Sequence, residues 1–332
     1  SGLENTQMRI EIRESQGLSE EMLAIPWENI IEPKSQTLIS CHSFFSLFRT
    51  TNKITEYRSE NCPESELLPI RVLIFYSSPI NDATKSQLIE NRLKDSEQQA
   101  LLNCEMDLQS ALYHLEDSGL VSYQIHGRDV TPTLLELANA LEKRPQILHL
   151  LAADVNSNSQ LCFLIKKQDN SIGTLLLGEI LNLFNYLPYV PRIIIISNIN
   201  EYIHNKNVAI TDFFLRSVYF GVNTIINLRN QDNKGVSCRF WEQFYGELAN
   251  GNAISDVIKQ AVCRLNKEKS VGFYPVCYLI HPEYKLITND LRDKFEITEK
   301  QKTRPFKGII SYGISDFNKF FVKRYQIYPS GW

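Results

Sequence analysis

His149, within QILHLLAADV at residues 146 to 155, is the first residue of this chain that raises a chemical question. A histidine can take a proton from a nucleophile, and a thiol becomes nucleophilic only as the thiolate. The cysteine that follows His149 most closely is Cys162, on the next apolar run, so a Cys-His pair is one reading of the two. The plainer reading is a core histidine among leucines, hydrogen-bonded to a backbone group. His126 and His204 line a cleft on one reading and face solvent from loops on the other. Asp154, Asn156, Asn158, Asn198 and Asn200 are short and polar, suited to binding the backbone of an extended peptide, although loop solvation accounts for them equally.

Other chemistries find less support. No pair of His, Asp or Cys at i, i+4 spacing stands near these loops, so the sequence predicts no metal site. The GELANG turn lacks both the glycine spacing and the lysine of a phosphate loop. The seven cysteines (Cys41, Cys62, Cys104, Cys162, Cys238, Cys263, Cys277) are odd in number and include no C-x-x-C pair. That pattern predicts reduced thiols in a cytoplasm rather than a disulfide framework or zinc ribbon.

Short β-rich apolar runs alternate with amphipathic stretches from residue 70 onward, which predicts a sheet with helices on its faces. Strands are expected near 70–78, 121–126, 146–151, 192–197, 222–228 and 272–280, with a hairpin over 161–173 turning at Gln168 to Asn170. RIIIIS at 192–197 has the unbroken branched character of a strand buried on both faces. Pro275 predicts an edge position for the last strand. Helices are expected over 94–118, capped at Gly119, over 175–186, and over 210–220, 237–249 and 253–265. A further helix runs to Arg144, with Thr131 as its N-cap and Pro132 at its first position. Before residue 70 only MRIEIRE reads as a strand.

The composition is that of an ordinary globular protein: 332 residues, 43% hydrophobic, 22% charged, net charge -3. A pI near 6.1 and interspersed charges argue against nucleic acid. The longest apolar runs fall far short of the roughly 20 residues a membrane span needs, which predicts no membrane partner. No signal-peptide pattern is present, and the opening Ser1-Gly2 suggests a trimmed tag or a piece of something longer.

Taken in order, several segments resemble the CHAT family of bacterial caspase-like domains. LAIPWENII at 23–31 is similar to that family's LPWELL segment, and VLIFYSSP to its first sheet strand. QILHLLAADV corresponds to the strand and loop written vlHFsGHG, RIIIISNINEY at 192–202 to vvLsACeT, and GVNTIINL to GAxaVIas. FWEQFYGELANGNAISDVIKQAVCRL at 240–265 looks like FYxxLxxGxsixeAlxxAr and is the most specific of the set. The resemblance covers about residues 8 to 281.

It implies a caspase-like three-layer α/β/α sandwich with a mostly parallel central sheet. Residues 1–69 would hold a strand and the PWE segment, 70–282 the core and 283–332 a C-terminal extension. Active members use a histidine and a cysteine at the carboxyl ends of two neighbouring parallel strands. The motifs place Ala153 at the catalytic histidine and Ile199 at the cysteine, leaving His149 as the motif's non-catalytic histidine. Neither Ala153 nor Ile199 can do the chemistry. The resemblance thus implies a catalytically inactive pseudoprotease, without cofactor, that acts as a protein-interaction, scaffolding or regulatory module in bacterial signalling or defence. Its partner would be a protein or a second copy of itself. The alternatives are an active cysteine peptidase with a relocated Cys-His pair, Cys162 being the candidate thiol, and a module sensing a small-molecule ligand in the vacated cleft. In the tail, Phe317, Phe320 and Phe321 would gather on one face of a helix over 315–324, packed on the core or docked into a partner.

Overall fold

Four consecutive isoleucines, Ile193 to Ile196, fix the centre of the sheet. A strand with branched apolar side chains on both faces needs helices over both faces, and in the computed structural model of the chain all four are fully buried. The structure describes residues 8–14, 45–51, 66–76, 95–127, 130–155, 161–198, 206–230, 238–267 and 273–287. All of these belong to one compact unit, Ser1–Asp293; the remainder, Lys294–Trp332, lies outside the described residues, as do the LAIPWENII segment and the phenylalanines of the tail.

The strands are β1 (Met8–Glu14), β2 (Phe45–Thr51), β3 (Ile70–Tyr76), β4 (Val121–His126), β5 (Ile147–Val155), the hairpin β6 (Leu161–Lys166) and β7 (Ile172–Leu176), β8 (Ile193–Asn198), β9 (Thr224–Asn230) and β10 (Phe273–Leu279). The helices are α1 (Asp95–Asp117), α2 (Leu134–Glu142), α3 (Leu177–Phe184), α4 (Lys206–Ser217), continued by a 3-10 turn at Val218–Phe220, α5 (Cys238–Ala249) and α6 (Ile254–Lys267). Among the described residues no helix is long and apolar enough to cross a membrane.

The protein is an α/β fold built on a mostly parallel mixed sheet. Strand order is β1-β2-β10-β9-β8-β5-β3-β4. β9, β8, β5, β3 and β4 run parallel, β10 is antiparallel to β9, and β2 and β1 follow β10 in parallel. The six strands expected from residue 70 onward therefore share one sheet, with the isoleucine strand interior.

Register partners share a face of a sheet, which assigns the helices. His149 is opposite Ile74 and Ile195, and its ring meets Trp241 and Tyr245 of α5. α5 packs with α1 and α6 on that face. Tyr278 points the other way, against Phe214 at 5.2 Å and Thr211 Oγ1 at 3.1 Å, both on α4, which packs with α3.

Three local expectations change. The last strand is not an edge, because β2 and β1 extend the sheet beyond it; Pro275 is tolerated because β2 meets β10 at Tyr278, opposite Arg49. β2 has no hydropathy signature, since its buried positions include Arg49 and Thr50, with the Arg49 guanidinium 5.8 Å from the Tyr278 ring centroid. The N-cap of α2 is Thr133 rather than Thr131: its hydroxyl accepts from Glu136 N at 3.1 Å while Glu136 Oε2 accepts from Thr133 N at 2.6 Å. This reciprocal pair outcompetes the proline signal. Thr133→Ala is expected to cost about 1 kcal/mol, read as a lowered urea midpoint, and an unchanged midpoint would discount the cap. The hairpin and the cap of α1 follow expectation. Asn170 takes φ 65 in the turn, and Gly119 at φ 70 donates to Glu116 O while Leu120 donates to Leu115 O.

Candidate functional site

Parallel strands present their carboxyl ends along one edge, and open α/β sheets bind ligands where consecutive crossovers leave in opposite directions. Here the chain leaves β3 for β4 on one side and β5 for β8 on the other, so the switch point falls between the ends of β3 and β5. Beside it, β4 and β3 are pinched together at Gly127, where φ is 90° and a Cβ would stand 1.9 Å from the Tyr76 carbonyl oxygen. Only glycine fits this floor.

The end of β5 is irregular. Leu150 pairs with Ile196, but the next pair is Ala153 with Asn198, so β5 carries one extra residue there. Bulges of this kind re-aim a strand and recur next to functional sites. Past the bulge β5 turns from β8 to the hairpin, pairing Asp154 with Cys162 and Val155 with Leu161. Ala153 thus lies directly across from the residue that precedes Ile199. Ile199 itself, with Asn156, Asn158, Asn200 and His204, is outside the described residues.

His149 is further down, below the bulge, and fully buried. It bonds Tyr245 through Nε2, a side-chain partner where a backbone one was expected. Its ring meets Trp241 edge-on at 5.0 Å and stacks on Tyr245 at 5.9 Å. Burial pushes its pKa down to about 3, so the ring is neutral near pH 7. Its Nδ1 has no hydrogen-bond partner among the described residues, and neither has Ser197 Oγ, two positions along the neighbouring strand from Ile195. The sequence signal for this cluster was the i, i+4 spacing of Trp241 and Tyr245, which announces a buried helix face but not what that face covers.

Cys162 is buried in the hairpin, between Asp154 and Leu176. His126, at the end of β4, is half-buried, with its pKa lowered by burial and then by Lys143, against the pull of Glu136. Among the described residues no three His, Cys, Asp or Glu side chains are grouped so as to hold a metal ion.

Fold and site together define an α/β protein with a bulged strand at the carboxyl edge of a mostly parallel sheet. No protein-family model matches the chain, and no curated protein matches it.

Proposed function

We propose that this chain is a catalytically inactive caspase-like domain, similar to the CHAT family, that serves as a protein-interaction, scaffolding or regulatory module in bacterial signalling or defence. The supporting observation is the pairing of Ala153 with Asn198. It puts Ala153, which the family motifs align with histidine, beside Asn198, the residue before the one they align with cysteine, where two parallel strands end. Alanine there holds no proton, and the isoleucine at 199 offers no nucleophile. His149 does not substitute, being neutral and enclosed by Tyr245 and Trp241. A relocated pair through Cys162 would need a buried thiol to reach a substrate above the sheet edge, where exposure and thiolate character are required.

The test is labelling by a thiol-directed peptidyl probe. The native chain is expected to take up no stoichiometric label. Labelling of one cysteine that disappears on replacing one histidine would overturn the proposal, and if that cysteine were Cys162 the site would have moved to the hairpin. In the paired variant Ala153→His with Ile199→Cys, the introduced thiol is expected to react. A folded paired variant that stays unlabelled would remove the register argument. Co-purification from the native host then separates the roles: a recurrent protein partner supports the scaffold, a retained small molecule the sensor.

A further inference from the structure

The two ends of the sheet differ in how they are protected. At one end is β1, whose sequence sets Arg9, Glu11 and Arg13 between Met8, Ile10 and Ile12. Charges at alternate positions are a common way to keep an edge strand from pairing with another chain. At the other end is β4, Val121–His126, which pairs only with β3 among the described residues. Its sequence, VSYQIH, contains no lysine, arginine, carboxylate or proline, and no bulge interrupts its register with β3.

β4 also alternates cleanly. Tyr123 and Ile125 are register partners of Val72 and Ile74, so with Val121 they lie on the face of α1 and α5; Ser122, Gln124 and His126 lie on the other. Tyr123 and Ile125 are only half-buried and Gln124 is exposed. The elements on either side of β4 in the chain also expose apolar side chains. Met106 and Tyr113 of α1 are 61% and 57% exposed, and Val130, ahead of α2, and Leu135, in its first turn, are 58% and 44% exposed. Tyr113 and Glu116 lie within electrostatic reach of the Tyr123 hydroxyl, which places this stretch of α1 beside the strand.

We propose that β4 is the pairing edge for a second copy of this chain, antiparallel across a two-fold axis at Tyr123, so that the sheets of two protomers join into one. A two-fold axis normal to the sheet keeps each face on its own side, so apolar positions meet apolar positions and polar meet polar. Val121 lies opposite Ile125, Ser122 opposite Gln124, and Tyr123 opposite its own copy. Cross-strand pairs of these types stabilise an antiparallel ladder. Centring on Tyr123 rather than Gln124 is set by charge: the Lys143 amine donates to Gln124 Oε1 at 3.1 Å, and a Gln124-centred pairing would bring both ammonium groups together. The interface is isologous and closes on itself, pairing the edge of β4 that has no second strand among the described residues. This inference does not depend on the caspase-like reading.

Sedimentation of the full chain at micromolar concentration is expected to show a dimer. Gln124→Lys, at an exposed position, sets a charge opposite Ser122 in both copies and is expected to weaken the dimer at least tenfold with an unchanged far-ultraviolet circular dichroism spectrum. Directly opposed strand residues have Cα atoms about 4.5 to 5.5 Å apart, within disulfide range. Tyr123→Cys is therefore expected to give an oxidised, covalently linked dimer, whereas the native chain and Tyr113→Cys are not. A chain that sediments as a monomer up to its solubility limit overturns the proposal. So does a dimer insensitive to Gln124→Lys and not linked through position 123.

Discussion

Trp241→Ala is expected to destabilise the protein by about 3 to 5 kcal/mol, the largest single-residue effect we foresee. Trp241 is 1% exposed and stands at the junction of the α5 aromatic face with the sheet. Its ring contacts Phe240 at 5.0 Å, Phe244 at 6.0 Å, Tyr245 at 6.1 Å and His149 at 5.0 Å. Truncation leaves a cavity bounded by three rings and a strand, and close-packed surroundings of that kind do not collapse to fill it. Trp241→Phe is the informative control. The indole Nε1 has no hydrogen-bond partner among the described residues, so phenylalanine gives up volume but no protein hydrogen bond. It should recover most of the loss. Guanidinium denaturation checks both, and an alanine variant within about 1 kcal/mol of the native chain would mean that α5 does not anchor the sheet as described.

Lowering the pH from 7 to 4 is expected to cost about 3 kcal/mol through His149 alone. Burial lowers its pKa from 6.5 to about 3 in the folded chain. Between those values the unfolded state binds a proton that the native state refuses, so stability falls as pH falls. The contribution is complete above about pH 6.5 and disappears as pH approaches 3. The Tyr245 hydroxyl, raised by its own burial, does not titrate in this window, and an added proton on Nδ1 would find no acceptor among the described residues. His149→Phe isolates the effect. It leaves the Tyr245 hydroxyl without its ring partner, at a cost of about 1 to 3 kcal/mol at pH 7, but its stability should vary less between pH 4 and 7 by the amount assigned to His149. Equal pH dependence in the two proteins would show that the imidazole is hydrated in solution.

The chain's local patterns determine most of its elements. Branched runs such as Ile193 to Ile196, the three- and four-residue spacing of α6, Gly119 after α1 and Asn170 in the hairpin turn all carry their conformational preference in the residues themselves, so strands, helices and the α/β class could be read from the sequence. It also determines which side chains stand at the positions where the CHAT-like motifs would place their chemistry, since Ala153 and Ile199 are matters of spelling. Tertiary structure decided what depends on partners distant in the chain. β2 escaped notice because Arg49 and Thr50 are buried, and only their position beside β10 allows a polar strand to be enclosed. The same strand moved β10 from the edge to the interior. Thr133 caps α2 because Glu136 reciprocates, a choice between two nearby threonines made by hydrogen-bond geometry. His149 is held by a tyrosine from a helix far along the sequence, and Ala153 meets Asn198 only because β5 and β8 pair in parallel with one residue bulged out. Strand pairing is a long-range contact whose stabilisation resides in neither segment alone, which is why the residues of the site were legible one by one and their adjacency was not.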